Sequence, residues 1–296
     1  MLNFLMVYYI MFILMVFLYS NMMMIWFYME MSSMMFYILM NKFNSKKEIN
    51  IIYFIIQEMS SIMMIYMYMM NNLVLLNFFI LLKMGVPPMH NWLLKISIFL
   101  NWKILFVVMN FQKIIPLNFV YMYMCNSWSM MIILNLSMTT FFLFNVSNNK
   151  YLYSIISLNS LSWIILLMFF NKMFMLMYLF LYFFMNFFFL KELMYKNSMN
   201  FFNMLKFKMT FFFLLLNLIS YPPTSMFLMK IKIIFLLNMF NLTKFLLIMM
   251  IFVMLLFSLV FFLFFLNHFF VMKWEKEKIS FKLSMMIYLN LMLMFI

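Results

Sequence analysis

The chain has 296 residues, of which 70% are hydrophobic and 9% charged, with a formal net charge of +14. Soluble domains cannot bury so much apolar surface, and apolar runs recur from end to end, so the chain reads as a polytopic membrane protein. Its one cysteine, Cys125, leaves no room for a disulfide framework or a thiolate metal site and reads as a small apolar filler.

About eleven membrane spans are predicted along the chain. The opening stretch MLNFLMVYYIMFILMVFLY has no cationic start and no small-residue cleavage site, so 2–19 is a first span rather than a signal. Span 22–40 carries Glu30 at depth, and span 51–70 carries Glu58. Span 73–100 holds Lys83, then the only glycine, Gly85, then Pro87 and Pro88, and is predicted to be broken near 83–90. Span 103–124 carries Lys113 and Pro116. Spans 127–146, 151–170 and 173–190 follow without interruption. Span 209–240 is predicted to break near 219–226, where Pro222 and Pro223 precede Lys230 and Lys232. Spans 245–266 and 279–296 complete the set.

The lysines orient this layout. Loops after even-numbered spans hold fourteen of the 20 (Lys42, Lys46, Lys47, Lys95, Lys103, Lys150, Lys191, Lys196, Lys206, Lys208, Lys273, Lys276, Lys278 and Lys282). Loops after odd-numbered spans hold Lys172 and Lys244. The positive-inside rule then puts the N-terminus on the more electronegative side and the C-terminus opposite. Scattered over loops around an apolar body, these charges fit anionic lipid headgroups and argue against nucleic-acid binding.

The remaining lysines lie inside apolar spans, where a charge costs about 2.5–3.5 kcal/mol on insertion scales and marks a functional site by default. Lys83 and Lys113 lie roughly ten residues into their spans, ~15 Å from the entry face at helical rise, too deep to snorkel. Glu30 is the natural counter-ion for Lys83. Glu58 reads as a further carboxylate or a local partner. Lys230 follows the second break by about two turns and is the second-half counterpart of Lys83. Lys232, two residues on, faces another side of the helix. His90, after the first proline pair, fits either a proton-passing role or support of broken backbone. Helix breaks beside charges in both halves of the chain point to ion transport. Glycine-rich phosphate loops, HExxH and paired cysteines are all absent, so no cofactor or metal is expected, and a single glycine excludes a dinucleotide fold.

Residue usage carries a separate signal. Ala, Arg and Asp do not occur, whereas 46 methionines and 45 phenylalanines do. The missing residues have GC-rich codons and the abundant ones AT-rich codons, as in a strongly AT-rich animal mitochondrial genome that reads ATA as Met.

At these motifs the chain resembles the mitochondrial NADH dehydrogenase subunit 2 family, antiporter-like membrane subunits of respiratory complex I. The family's KLGxAPFHFW resembles Lys83-Met84-Gly85-Val86-Pro87-Pro88-Met89-His90-Asn91-Trp92, and its TWQKxAP resembles Asn110-Phe111-Gln112-Lys113-Ile114-Ile115-Pro116. Its GLPPxxGFxPKW is similar to Ser220–Ile231 with the proline-to-lysine spacing kept. The family's membrane glutamate falls on Glu30, its YFLTQ on Tyr53–Gln57, and its MAYSSIxHxGW on the segment ending at Trp163. This chain departs from the family at the glycines near the second break, which are Tyr221 and Met226 here, and at a histidine and adjacent glycine, which are Ser160 and Ser162.

The resemblance implies an all-α fold of about eleven transmembrane helices, as two inverted five-helix repeats plus one extra helix. The repeats would cover 1–124 and 125–266, with a matrix loop and the C-terminal helix in 267–296. It implies proton translocation in the mitochondrial inner membrane, driven by NADH:ubiquinone oxidoreduction elsewhere in the complex, with no redox cofactor on this chain. The implied partners are other membrane-arm subunits, including another antiporter-like one, and lipids such as cardiolipin. The N-terminus would face the matrix and the C-terminus the intermembrane space. The implied roles are Glu30 with Lys83 as a coupling ion pair, Lys113 as central relay and Lys230 as terminal proton-loading site. A stand-alone cation/proton antiporter and a structural membrane spacer are the competing expectations.

Overall fold

The computed structural model describes residues 2–19, 21–43, 46–123, 128–144, 148–168, 172–195, 209–222, 224–239 and 250–260. Among them every regular element is helical. An apolar chain without water to bond its amides satisfies them within helices. Five of these helical stretches are long and apolar enough to cross a membrane: Met22–Lys42, Lys47–Met69, Trp102–Met122, Lys150–Met168 and Met173–Lys191. Cys125, Pro223, His268, Lys244, the loop lysines beyond 195, the expected span 279–296 and the segment 267–296 lie outside the described residues.

The chain divides into two compact units, Met1–Asn135 and Leu136–Ile296. In the first, α1 (Leu2–Met15) packs on α2 (Met22–Lys42), α2 on α3 (Lys47–Met69), and α3 on α4 (Leu73–Met84). Short helices α5 (Asn91–Phe99) and α6 (Trp102–Phe106) lead through a π-helical turn, Val107–Phe111, into α7 (Ile114–Met122), which packs against both α2 and α4. The amphipathicity of α3 is that of a membrane helix. Ile51, Ile55, Met59 and Ile62 face outward, while Asn50, Gln57, Ser60 and Ser61 are buried. Apolar surface thus meets apolar surroundings, and the polar side chains collect inside, where other protein groups satisfy them.

Asn71 and Asn72 show how local chemistry sets these boundaries. Asn71 takes a left-handed φ of 55°, and the N–H groups of Asn71 and Asn72 bond the carbonyls of Tyr68 and Met67. That is a Schellman ending, with Asn in the place Gly usually takes. Asn72 then caps α4, its side chain accepting from the Leu75 N–H at 3.2 Å.

The second unit contains α9 (Asn149–Met168), α10 (Lys172–Tyr195), α11 (Met209–Ile219) and α12 (Ser225–Met239), with a further helical stretch at Met250–Val260; α8 (Trp128–Phe144) precedes them. α10 packs on α9, α11 and α12. α9 is buried along nearly its whole length, its small polar side chains included. Its serines 154, 157, 160 and 162 return their hydroxyls to carbonyls three residues back, so they add no unsatisfied donor.

Both broken helices end in the same way. At the first, Gly85 has φ 67°, its N–H bonds Leu82 and the Val86 N–H bonds Leu81. At the second, Ser220 has φ 63°, its N–H bonds Asn217 and the Tyr221 N–H bonds Leu216. Each ending is a Schellman motif followed by two prolines, Pro87-Pro88 and Pro222-Pro223, which cannot continue a helix. The residue standing in for a glycine at the second break is therefore Ser220, one position before Tyr221.

Candidate functional site

Breaking a helix inside the protein strands the last carbonyls of its upstream half, and the first break satisfies them one by one. The Leu81 carbonyl takes the Val86 N–H and the Leu82 carbonyl the Gly85 N–H. Leu82 also accepts from the Trp92 Nε1–H at 3.0 Å. The Lys83 carbonyl accepts from the Gln57 side-chain amide at 3.1 Å. Gln57→Leu would leave that buried carbonyl unpaired, so the expected loss is about 1–3 kcal/mol of stability. A detergent-solubilised thermal midpoint equal to wild type would refute this capping role.

The charge sits at that same helix end. Lys83 occupies the last turn of α4, where the carbonyl end of the dipole favours a cation. Its Nζ donates to Glu30 Oε1 on α2 at 2.8 Å, with side-chain exposures of 3% and 9%. Ser33, one turn beyond Glu30, donates to the Glu30 carbonyl at 2.8 Å and lies 3.4 Å from Glu58 Oε1. Ser33 thus links the Glu30 backbone to the half-buried Glu58 carboxyl. The structure therefore joins Glu30, Lys83 and Glu58 in one cluster on three helices. His90 caps α5, its carbonyl accepting from Leu93 and Leu94, and its Nδ1 is 3.2 Å from the Pro88 carbonyl to which it donates.

Lys113 is buried at the N-cap of α7. The irregularity there precedes the proline. The π-helical turn ends at Phe111, Asn110 bonds the Phe106 carbonyl at 3.0 Å, and the Gln112 N–H bonds Val107. Pro116 falls in the first turn of α7, where a missing N–H removes no helical bond. π-Turns inside helices are frequent at functional sites.

In the second unit, Lys230 lies on α12 and is buried, and its Nζ reaches back to donate to the Ser220 hydroxyl. The Ser220 hydroxyl in turn donates to the Ile219 carbonyl. The ammonium stands 5.3 Å from the ring centroid of Trp163 on α9, in cation–π range. Both breaks thus bring an ammonium to the carbonyl end of the upstream half-helix, Lys83 from within it and Lys230 from the helix that follows. Lys232 points elsewhere, lining a small pocket with Leu167, Phe174, Tyr178, Met229 and Ile233. Ser160, where the family has a histidine, is buried and returns its hydroxyl to Ser157. Among the described residues, no group of three His, Cys, Asp or Glu side chains gathers to hold a metal.

No known family profile matches the chain. Three curated arthropod proteins do, each described as NADH-ubiquinone oxidoreductase chain 2. The Artemia salina protein is 39% identical over 72 residues, 24% of this chain and 53% of the relative. The Artemia franciscana protein is 39% identical over 72 residues, 24% of each chain. The Anopheles gambiae protein is 31% identical over 142 residues, 43% of this chain and 41% of the relative. The chain thus spans about half or less of the length of the curated relatives it matches.

Proposed function

We propose that this chain is a core membrane-arm subunit of respiratory complex I, and that it moves protons across the mitochondrial inner membrane. NADH:ubiquinone oxidoreduction takes place elsewhere in the complex and drives it. The reading rests on one observation above all: two helix breaks with the same hydrogen-bond pattern each hold a buried lysine ammonium. Buried charge beside broken helix is the arrangement by which membrane transporters bind ions.

The roles follow from the contacts. Glu30 locks the Lys83 ammonium while the two are paired, and separating them frees that ammonium to hand on its proton. Lys113, on a helix that packs against those carrying Glu30 and Lys83, is the central relay. Lys230 is the terminal loading site. The fold is eleven transmembrane helices in two inverted repeats plus one, with the N-terminus in the matrix. Its partners are other membrane-arm subunits and lipids of the cardiolipin type.

The test is proton pumping per NADH oxidised in inner-membrane vesicles. Lys113→Met is expected to leave the complex assembled while lowering pumping by tenfold or more. Undiminished pumping with Lys113→Met would remove this lysine from the pathway and favour a structural role.

A further inference from the structure

We propose that Ser220 is the positioning residue of the Lys230 proton site, its hydroxyl serving as the hydrogen-bond partner that fits this lysine both with and without its proton. The inference rests on the proton-translocating reading above.

The position needs a left-handed residue and nothing more. At the first break Gly85 meets that need, and no side chain fits there, because an added Cβ would come within 2.7 Å of Leu93 Cδ1. At the second break the same motif holds Ser220 at φ 63°, a conformation unfavourable for any residue with a Cβ. Backbone geometry therefore gives no reason for serine. The contacts of its hydroxyl do: it accepts from the Lys230 ammonium at 2.5 Å and donates to the Ile219 carbonyl, all within buried surroundings.

What sets this site apart from the first is the chemistry of the partner. Lys83 faces a carboxylate, whose negative charge favours the ammonium and which has no hydrogen to offer the lone pair of a neutral amine. Among the described residues no carboxylate pairs with Lys230, whose neighbours are the Ser220 hydroxyl and the Trp163 ring. Hydroxyl groups both donate and accept. When Nζ gives a proton to a water molecule, the N–H bond breaks, nitrogen keeps the electron pair and the water becomes hydronium. The Ser220 O–H then rotates away from the Ile219 carbonyl and donates to that pair. Reprotonation reverses both motions. Neither state leaves Lys230 unbonded, so the site can load and unload without the helix break rearranging. The first site, by contrast, is pinned by charge.

Three substitutions separate a two-way partner from a filler, tested in the assembled complex in inner-membrane vesicles beside Lys230→Met. Ser220→Gly suits the left-handed backbone and removes only the hydroxyl. It is expected to assemble like wild type, to pump several-fold fewer protons per NADH and to change the pH profile of pumping. Ser220→Asn tolerates the same φ and offers an amide that donates and accepts, so it should retain most pumping. Ser220→Asp supplies a carboxylate that locks the ammonium, so it should assemble and pump poorly. Wild-type pumping and pH profile in Ser220→Gly, with Lys230→Met inactive, would overturn the inference while leaving the parent reading intact. Normal pumping in Lys230→Met would instead remove this lysine from the pathway, and the inference with it.

Discussion

Lys83→Met is expected to cut the amount of assembled complex sharply, and Glu30→Gln together with Lys83→Met to restore assembly without restoring proton pumping. The asymmetry comes from burial. Removing the ammonium leaves the Glu30 carboxylate enclosed, with 9% side-chain exposure and its 2.8 Å partner gone. Breaking a buried pair in this one-sided way costs about 3–5 kcal/mol, a large fraction of the stability margin of a typical domain. Exchanging both members for neutral groups of similar size removes the uncompensated charge, and such replacements are often neutral or stabilising. Assembly should therefore return in the double variant. Pumping should not, because the pair that locks and releases the proton is gone. Native-gel abundance and protons pumped per NADH, measured on the same vesicles, read the two effects apart. A double variant that assembles and pumps at the wild-type rate would reduce the ion pair to a structural contact.

How much of this arrangement could be read from the residue order depends on which forces set each part. The first break was legible: a lone glycine followed by two prolines announces a left-handed stop, and Gly85 at φ 67° provides it. Lys83 and Glu30 were legible as a pair because a buried charge at membrane depth requires a partner. The second break was legible in its prolines but not in its turning residue. Serine is a poor left-handed former, and its contact with Lys230 depends on folding that brings the two close. Nothing in VVMNF announced the π-helical turn before Lys113, since Pro116 was the visible irregularity and lies where a helix tolerates it. Gln57 and Trp92 stood inside recognisable motifs, yet their task of capping the end of α4 depends on the approach of α3 and α5 in space. The link from Glu30 to Glu58 through Ser33 was hidden for the same reason: spacing along one helix says nothing about a contact across two.

Gly85→Ala is expected to be the most damaging single-methyl change in the first unit. Two independent effects add. The φ of 67° is left-handed, which costs an L-residue with a Cβ roughly 1–2 kcal/mol. The new methyl would also sit 2.7 Å from Leu93 Cδ1, 2.8 Å from Leu93 Cβ and 3.2 Å from Trp92 Cζ2. Overpacking of this kind costs about 1–3 kcal/mol more, because close-packed interiors yield little. The second contact matters beyond its own strain. Pushing the Trp92 ring loosens its 3.0 Å bond to the Leu82 carbonyl and exposes the helix end that carries Lys83. Leu93→Ala provides the control. Combined with Gly85→Ala it removes the obstructing side chain beyond Cβ but leaves the backbone strain and the Cβ contact, so assembly should recover only in part. Full recovery would make the clash with the Leu93 side chain the whole cause. No recovery would assign the loss to the left-handed backbone and the remaining close contacts. Wild-type abundance and thermal midpoint in the Gly85→Ala complex would show that the break does not depend on this conformation at all.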